Sequence, residues 1–179
     1  MPIALLRALR RPSIGSALLA LAACTPALNW REVRPAATPL QLLMPCKATA
    51  QERQVMLAGQ SVALTLHACA AAGQTWGLAS AALQDPARVQ AALQEMGAAA
   101  ASNIAATEQR SQPMQVTGAT PHALSQRRWL QGTLPDGKPV AMQVLVFVHG
   151  LRVFQATVLG AEPDKDSVDT FFASLRIQP

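Results

Sequence analysis

From Cys46 onward the apolar positions change period several times. Val62, Leu64 and Leu66 alternate with Ala63, Thr65 and His67, a period of two that puts the first trio on one strand face. Gln54 to Leu57 precedes this run, and Ala58-Gly59-Gln60 lies between, so the pair predicts a hairpin. Thr75 to Ala82, after Gly73, reads as a third strand with Trp76 and Leu78 on one face. The period then becomes helical. Asp85-Pro86 combines a favoured N-cap with a proline suited to the first helical position. Val89, Leu93, Met96 and Ala100 follow at spacings of four, three and four, and Ala92 and Ile104 widen the stripe. The pattern predicts an amphipathic helix of about 20 residues with one buried face.

Beyond the helix, Met114 to Thr117 reads as a short strand and Arg127 to Leu134 as a longer one. Pro135-Asp136-Gly137 is a turn signal, Val140 to Val148 a strand, His149-Gly150 a second turn and Leu151 to Leu159 another strand. The middle run is apolar on both faces, with Val144, Val146 and Val148 on one side and Leu145 and Phe147 on the other. Such a strand must be covered on both sides. Val168, Phe171, Phe172 and Leu175 then mark a short closing helix. The expected fold class is α+β, an antiparallel sheet with helices packed on both faces. The strand, Asp-Gly turn, apolar strand, His-Gly turn, strand and helix from Arg127 to Ile177 resemble the Mog1/PsbP-like fold. Phe171-Phe172-Ala173-Ser174-Leu175-Arg176 is similar to the segment that closes it. The resemblance implies an α/β/α sandwich that acts as a binding or assembly factor on larger complexes.

The first residues are built differently. Arg7, Arg10 and Arg11 precede Ser13 to Ala23, which is apolar or small and uncharged. That run is shorter than the roughly 20 apolar residues of a membrane-spanning helix and suits a cleaved export signal. Leu21-Ala22-Ala23-Cys24 closes it and resembles the lipobox of bacterial lipoproteins. The resemblance implies a diacylglyceryl group on the Cys24 thiol and cleavage just before it, which makes residues 1–23 a signal peptide. Thr25, in place of an aspartate, implies delivery to the inner leaflet of a Gram-negative outer membrane, facing the periplasm. Thr25 to Pro45 carries Pro26, Pro35, Pro39 and Pro45 without a sustained period, so 24–45 reads as a lipidated cysteine and extended tether, and 46–179 as one domain. Two readings stay open for Trp30 and Leu40 to Met44 inside the tether: docking on the domain, or lying near lipid headgroups.

Charge and cysteines sharpen this picture. The chain is formally +5, and the three signal arginines, with no acid beside them, leave +2 on the remainder. That balance makes no electrostatic case for nucleic acid. Arg127-Arg128, the one basic doublet after the signal, reads as a solvated strand edge. Half the residues are apolar but only 4% are aromatic, so the core should be light and close-packed. If Cys24 carries lipid, Cys46 and Cys69 remain as a pair, which an oxidising periplasm favours as a disulfide. A thiol or metal site is the weaker alternative without a Cys-x-x-Cys motif.

No residue set specifies a reaction. His67, His122 and His149 lack metal-binding helix spacing, and His67 with Cys69 is the one candidate soft-metal pair. Ser174 is expected to face solvent, and the mature chain has no Gly-x-Ser-x-Gly. Glu162, Asp164, Asp166 and Asp169 read as a solvated helix start, and Trp76 and Trp129 as packing residues. The sequence thus predicts a non-enzymatic, lipid-anchored binding or assembly factor with a protein partner in the envelope, the membrane through its lipid, no cofactor and no metal. One alternative is a small-ligand carrier with a pocket lined by Trp76, Met96 and Leu145. The other is an envelope hydrolase, which needs His122 or His149 beside a serine and an acid.

Overall fold

The computed structural model describes residues 27–179, so the expected signal peptide and Cys24 lie outside the described residues. In chain order the elements are β1 (Arg31–Val33), β2 (Leu40–Met44), β3 (Thr49–Leu57), β4 (Gln60–Ala71) and β5 (Gln74–Ala82). A 3-10 turn (Pro86–Arg88) then runs into α1 (Val89–Ser102). β6 (Thr107–Pro113), β7 (Gln126–Thr133), β8 (Pro139–His149), β9 (Arg152–Gly160), α2 (Lys165–Ala173) and β10 (Arg176–Ile177) complete the chain. Seven strands form one antiparallel sheet in the order β3-β4-β5-β9-β8-β7-β6, and three form a second in the order β1-β2-β10.

The doubly apolar strand predicted at Val140 to Val148 is β8, inside the large sheet between β9 and β7. One face carries Val144, Val146 and Val148 of β8 and Val153 of β9, packed with Leu93 and Met96 of α1 and the residues around them. The other carries Leu145 and Phe147 of β8 and Phe154, Ala156 and Val158 of β9. Phe147 and Phe154 stack across the two strands, their centroids 4.8 Å apart. What covers this second face corrects the expected fold class. The chain is mostly β, and helices do not pack as the layers on both faces. α1 alone covers the first face, while the three-stranded sheet, with the nine-residue α2 beside it, covers the second.

The physical reason lies in residues read as tether. Leu40, Leu42 and Met44 alternate along β2 and are fully buried against Trp76, Leu78 and Phe171. The prolines around this five-residue strand hide its period, and it gains partners only from β1 on one side and β10, far along the chain, on the other. Docking is therefore the reading realised for Leu40 to Met44. Trp30 docks too, edge-on to Trp76 with centroids 6.0 Å apart, and the Asn29 N–H donates to Pro45 O at 2.8 Å.

Three further differences follow from local chemistry. The long helix is shorter than expected, because a 3-10 turn precedes it and the chain reverses at Ala105, where φ is 44°. Ile104 still reaches the core, at 2% exposure, from this reversal. Met114 to Thr117 is not a strand, and Thr117 makes only one isolated bridge, to Arg176. Its place beside β7 is taken by β6, whose residues are all exposed and carry no apolar alternation to reveal them.

The first two hairpins of the large sheet turn on Ala58-Gly59 and Ala72-Gly73, with φ of 50° and 74°, and of 51° and 72°. Positive φ at both central residues suits the right-handed strand twist, and glycine reaches it without a Cβ penalty. The alanines do not have that freedom. Ala58 is held by α1 and the turn before it: its N–H donates to Glu95 Oε2 at 2.7 Å, and Arg88 Nη1 donates to its carbonyl at 2.8 Å.

Cys46, just after β2, is disulfide-bonded to Cys69 of β4, as the cysteine pattern predicts. The bond ties the small sheet's exit to the large sheet across a sequence separation of 23. A loop of this size is worth about 3 kcal/mol in the chain-entropy account. Reductant should therefore lower the melting temperature of the native chain and leave Cys46→Ser unchanged, as thermal denaturation would show. Leu42→Ala should lose about 2–5 kcal/mol in denaturant titration, whereas a residue of a free tether would lose nothing measurable.

Candidate functional site

β7 reads Gln126-Arg127-Arg128-Trp129-Leu130, and strand alternation sends its two arginines to opposite faces. Arg128 points toward α1, pairs with Glu108 and donates to Gly97 O. Arg127 points the other way and is 7% exposed. The doublet is thus not a solvated edge, because β7 is covered by β6 on one side and β8 on the other. The Arg127 guanidinium donates to Gln143 Oε1 through Nε at 2.8 Å and pairs with Asp169 Oδ1 through Nη2 at 2.7 Å. It also lies 4.5 Å from the centroid of Phe172 and 4.8 Å from that of Trp129. A nearly buried charge needs such partners, and here they couple α2 to the large sheet.

Asp169 comes from α2, whose start is fixed by Asp164: its carboxylate accepts the Ser167 N–H at 2.9 Å. The next residue, Lys165, places its Nζ 2.8 Å from Oδ2 of Asp169, one turn further on. The Lys165 hydrogen bond, opposed by desolvation and assisted by Arg127, holds the Asp169 carboxyl below its ordinary 3.8. The acidic run from Glu162 therefore divides in use. Asp164 caps the helix, while Asp169 enters a site.

A cleft of about 340 Å³ opens here between α2 and the β6–β8 end of the sheet. Arg127, Gln143 and Asp169 form one wall, Trp129 the floor, and Arg110, Gln112 and Lys165 the rim. Arg110 lies flat over Trp129, its guanidinium carbon 3.8 Å from the ring centroid. Three cations face one carboxylate. A second groove, of about 380 Å³, lies at the opposite end of the sheet beside Ala36 and Ala37 and holds Glu52, Thr65, His67 and Arg152. Partial burial lowers the His67 pKa there.

The residues singled out from sequence are dispersed. Cys69 is disulfide-bonded, so its thiol is not available to join His67 on a metal. Among the described residues no group of three or more His, Cys, Asp or Glu is placed to hold a metal. Trp76 and Leu145 belong to the core beneath the small sheet and Met96 to the core beneath α1, so the three do not line one pocket. His122 Nδ1 accepts the Leu124 N–H at 3.1 Å, and His149 Nδ1 meets Gly118 O at 3.1 Å. Ser174 is a half-buried helix cap rather than a solvent-facing residue: it accepts the Leu43 N–H and donates to Phe171 O. The cleft was missed in the sequence because its members come from four elements. The one local signal was Arg127-x-Trp129, two large residues sharing a strand face. Compared with family models and with curated proteins, the chain matches none.

The Asp169 pKa is depressed on folding, so its contribution is complete above the ordinary carboxylate value of 3.8 and lost as pH falls through the lower folded value. The melting temperature of Asp169→Asn should fall below that of the native chain at neutral pH. The gap should close as the pH of the melts drops below about 4.

Proposed function

We propose that this chain is a lipid-anchored domain of the bacterial envelope, facing the periplasm, which binds an envelope component and does not catalyse a reaction. The observation that carries the reading is Leu21-Ala22-Ala23-Cys24 at the end of a charged-then-apolar segment. The Cys46–Cys69 disulfide supports it, since such bonds persist in oxidising compartments. Among the described residues no helix is long and apolar enough to cross a membrane. In this proposal acyl chains on Cys24 supply attachment, at about 0.8 kcal/mol for each buried CH₂, and two or three chains make it durable. The binding surface is the cleft between α2 and β6–β8, where a preset cation is held by Gln143 and Asp169.

The fold changes how the anchor would act. Asn29 is already bonded to Pro45, so only five steps of chain separate Cys24 from the domain. Fully extended they reach about 18 Å. The proposed protein thus sits against the bilayer, and does not hang from a long tether.

Expressed in a Gram-negative host, the native chain should partition into the detergent phase, and Cys24→Ser should stay uncleaved or partition into the aqueous phase. Mass spectrometry that found an unmodified, uncleaved native chain would overturn the reading.

A further inference from the structure

We propose that the Arg110–Trp129 corner of the cleft is an oxyanion-binding site, taking a small polar ligand through one carboxylate or phosphate group. The inference names the ligand chemistry of the cleft described above, and it does not depend on the membrane anchor.

Three observations carry it. The first is how Arg110 comes to be there. Along β6, Glu108 stands opposite Leu130 and faces α1, where it pairs with Arg128. Regular alternation would put Arg110 on that same face, two residues on. A bulge between Glu108 and Arg110 shifts the register, so that Arg110 stands opposite Trp129 and faces the cleft. Edge-strand bulges of this kind re-aim a side chain.

The second is the state of Arg110 once re-aimed. It stacks on Trp129 at 3.8 Å, an arrangement that orients its planar fork. Among the described residues it makes no ion pair and no side-chain hydrogen bond, whereas Arg127 and Lys165 both share Asp169. The third is the local balance. Arg110, Arg127 and Lys165 outnumber Asp169, the one carboxylate that lines the cleft, and Asp166, which acts on Lys165 from outside it, and Gln112 and Gln143 add amides to the same walls. An anion on the Arg110 fork meets two N–H donors in parallel, and the remaining positive charge stabilises it. Arg127 is a positioning residue in this account, since its Nε and Nη2 donors are engaged by Gln143 and Asp169.

The test is NMR titration of the purified full chain with succinate and, separately, with inorganic phosphate. Saturable shifts at the Trp129 indole N–H and around Gln112 are expected with at least one of them. The anion that binds more tightly names the source, carboxylate or phosphate. Arg110→Ala should weaken that binding about tenfold or more, and Arg110→Lys, which keeps the charge and loses the fork, should fall between. Arg110 is exposed, so both variants should melt with the native chain. Absence of saturable shifts with both anions, or equal binding by native chain and Arg110→Ala, would overturn the proposal. Because no step involves the lipid, a failed Cys24 experiment leaves this result standing, and the reverse also holds.

Discussion

Strand β8 is apolar on both faces and lies beside β9 at the middle of the large sheet, and the rest of the molecule is arranged to keep water from both faces. Val146, Val148 and Val153 need one cover, and Phe147, Phe154 and Val158 need another. Burial of such surface stabilises by roughly 25 cal/mol per Å², so neither face can be left open without losing the fold. α1 supplies the first cover with an ordinary amphipathic stripe, and Gln155 Nε2 of β9 fastens it by donating to Met96 O at 2.7 Å. The second cover is assembled from distant pieces. β2 lies near the start of the described chain and β10 at its end, and they meet over the aromatic side chains.

That second cover explains the polar seam beside it. α2 reaches β7 through Asp169 and Phe172, which meet Arg127, while β6 beyond it stays exposed, so the large sheet emerges from its core there. Arg127 sits at this boundary, with aromatic rings against its faces and oxygen acceptors on its edge. The arrangement satisfies a charge that the fold has nearly enclosed. It also leaves a cleft whose far wall, β6, is an exposed edge strand free to place Arg110 through a bulge. A requirement of packing and an opportunity for recognition thus fall on the same elements.

Most of the large sheet could be read in the sequence. The runs at β4, β5, β8 and β9, the turn signals between them, and the 3.6-residue stripe of α1 each have a local cause and fall where expected, except that the helix ends at Ser102, before Ile104. β2 and β6 could not be read in this way. β2 is too short for its period to rise above the surrounding prolines, and β6 has no buried side chain, being held by backbone bonds to β7. The cleft was partly legible. Arg127 and Trp129 share a face by parity alone, but Asp169 comes from α2, Gln143 from β8 and Arg110 through a register shift.

The sequence by itself pointed to Cys46 with Cys69, on the expectation that Cys24 is modified, and determined the doubly buried character of β8 and the two amphipathic helices, because each depends on residues close together or on simple counting. The tertiary structure alone decided that the second face is closed by strands, that the proline-rich stretch belongs to the core, and that a buried arginine and a stacked arginine share one cleft. Those outcomes depend on which distant segments compete for the same apolar face, and on backbone pairing that is blind to side-chain pattern. Neither leaves a local period for a sequence to display.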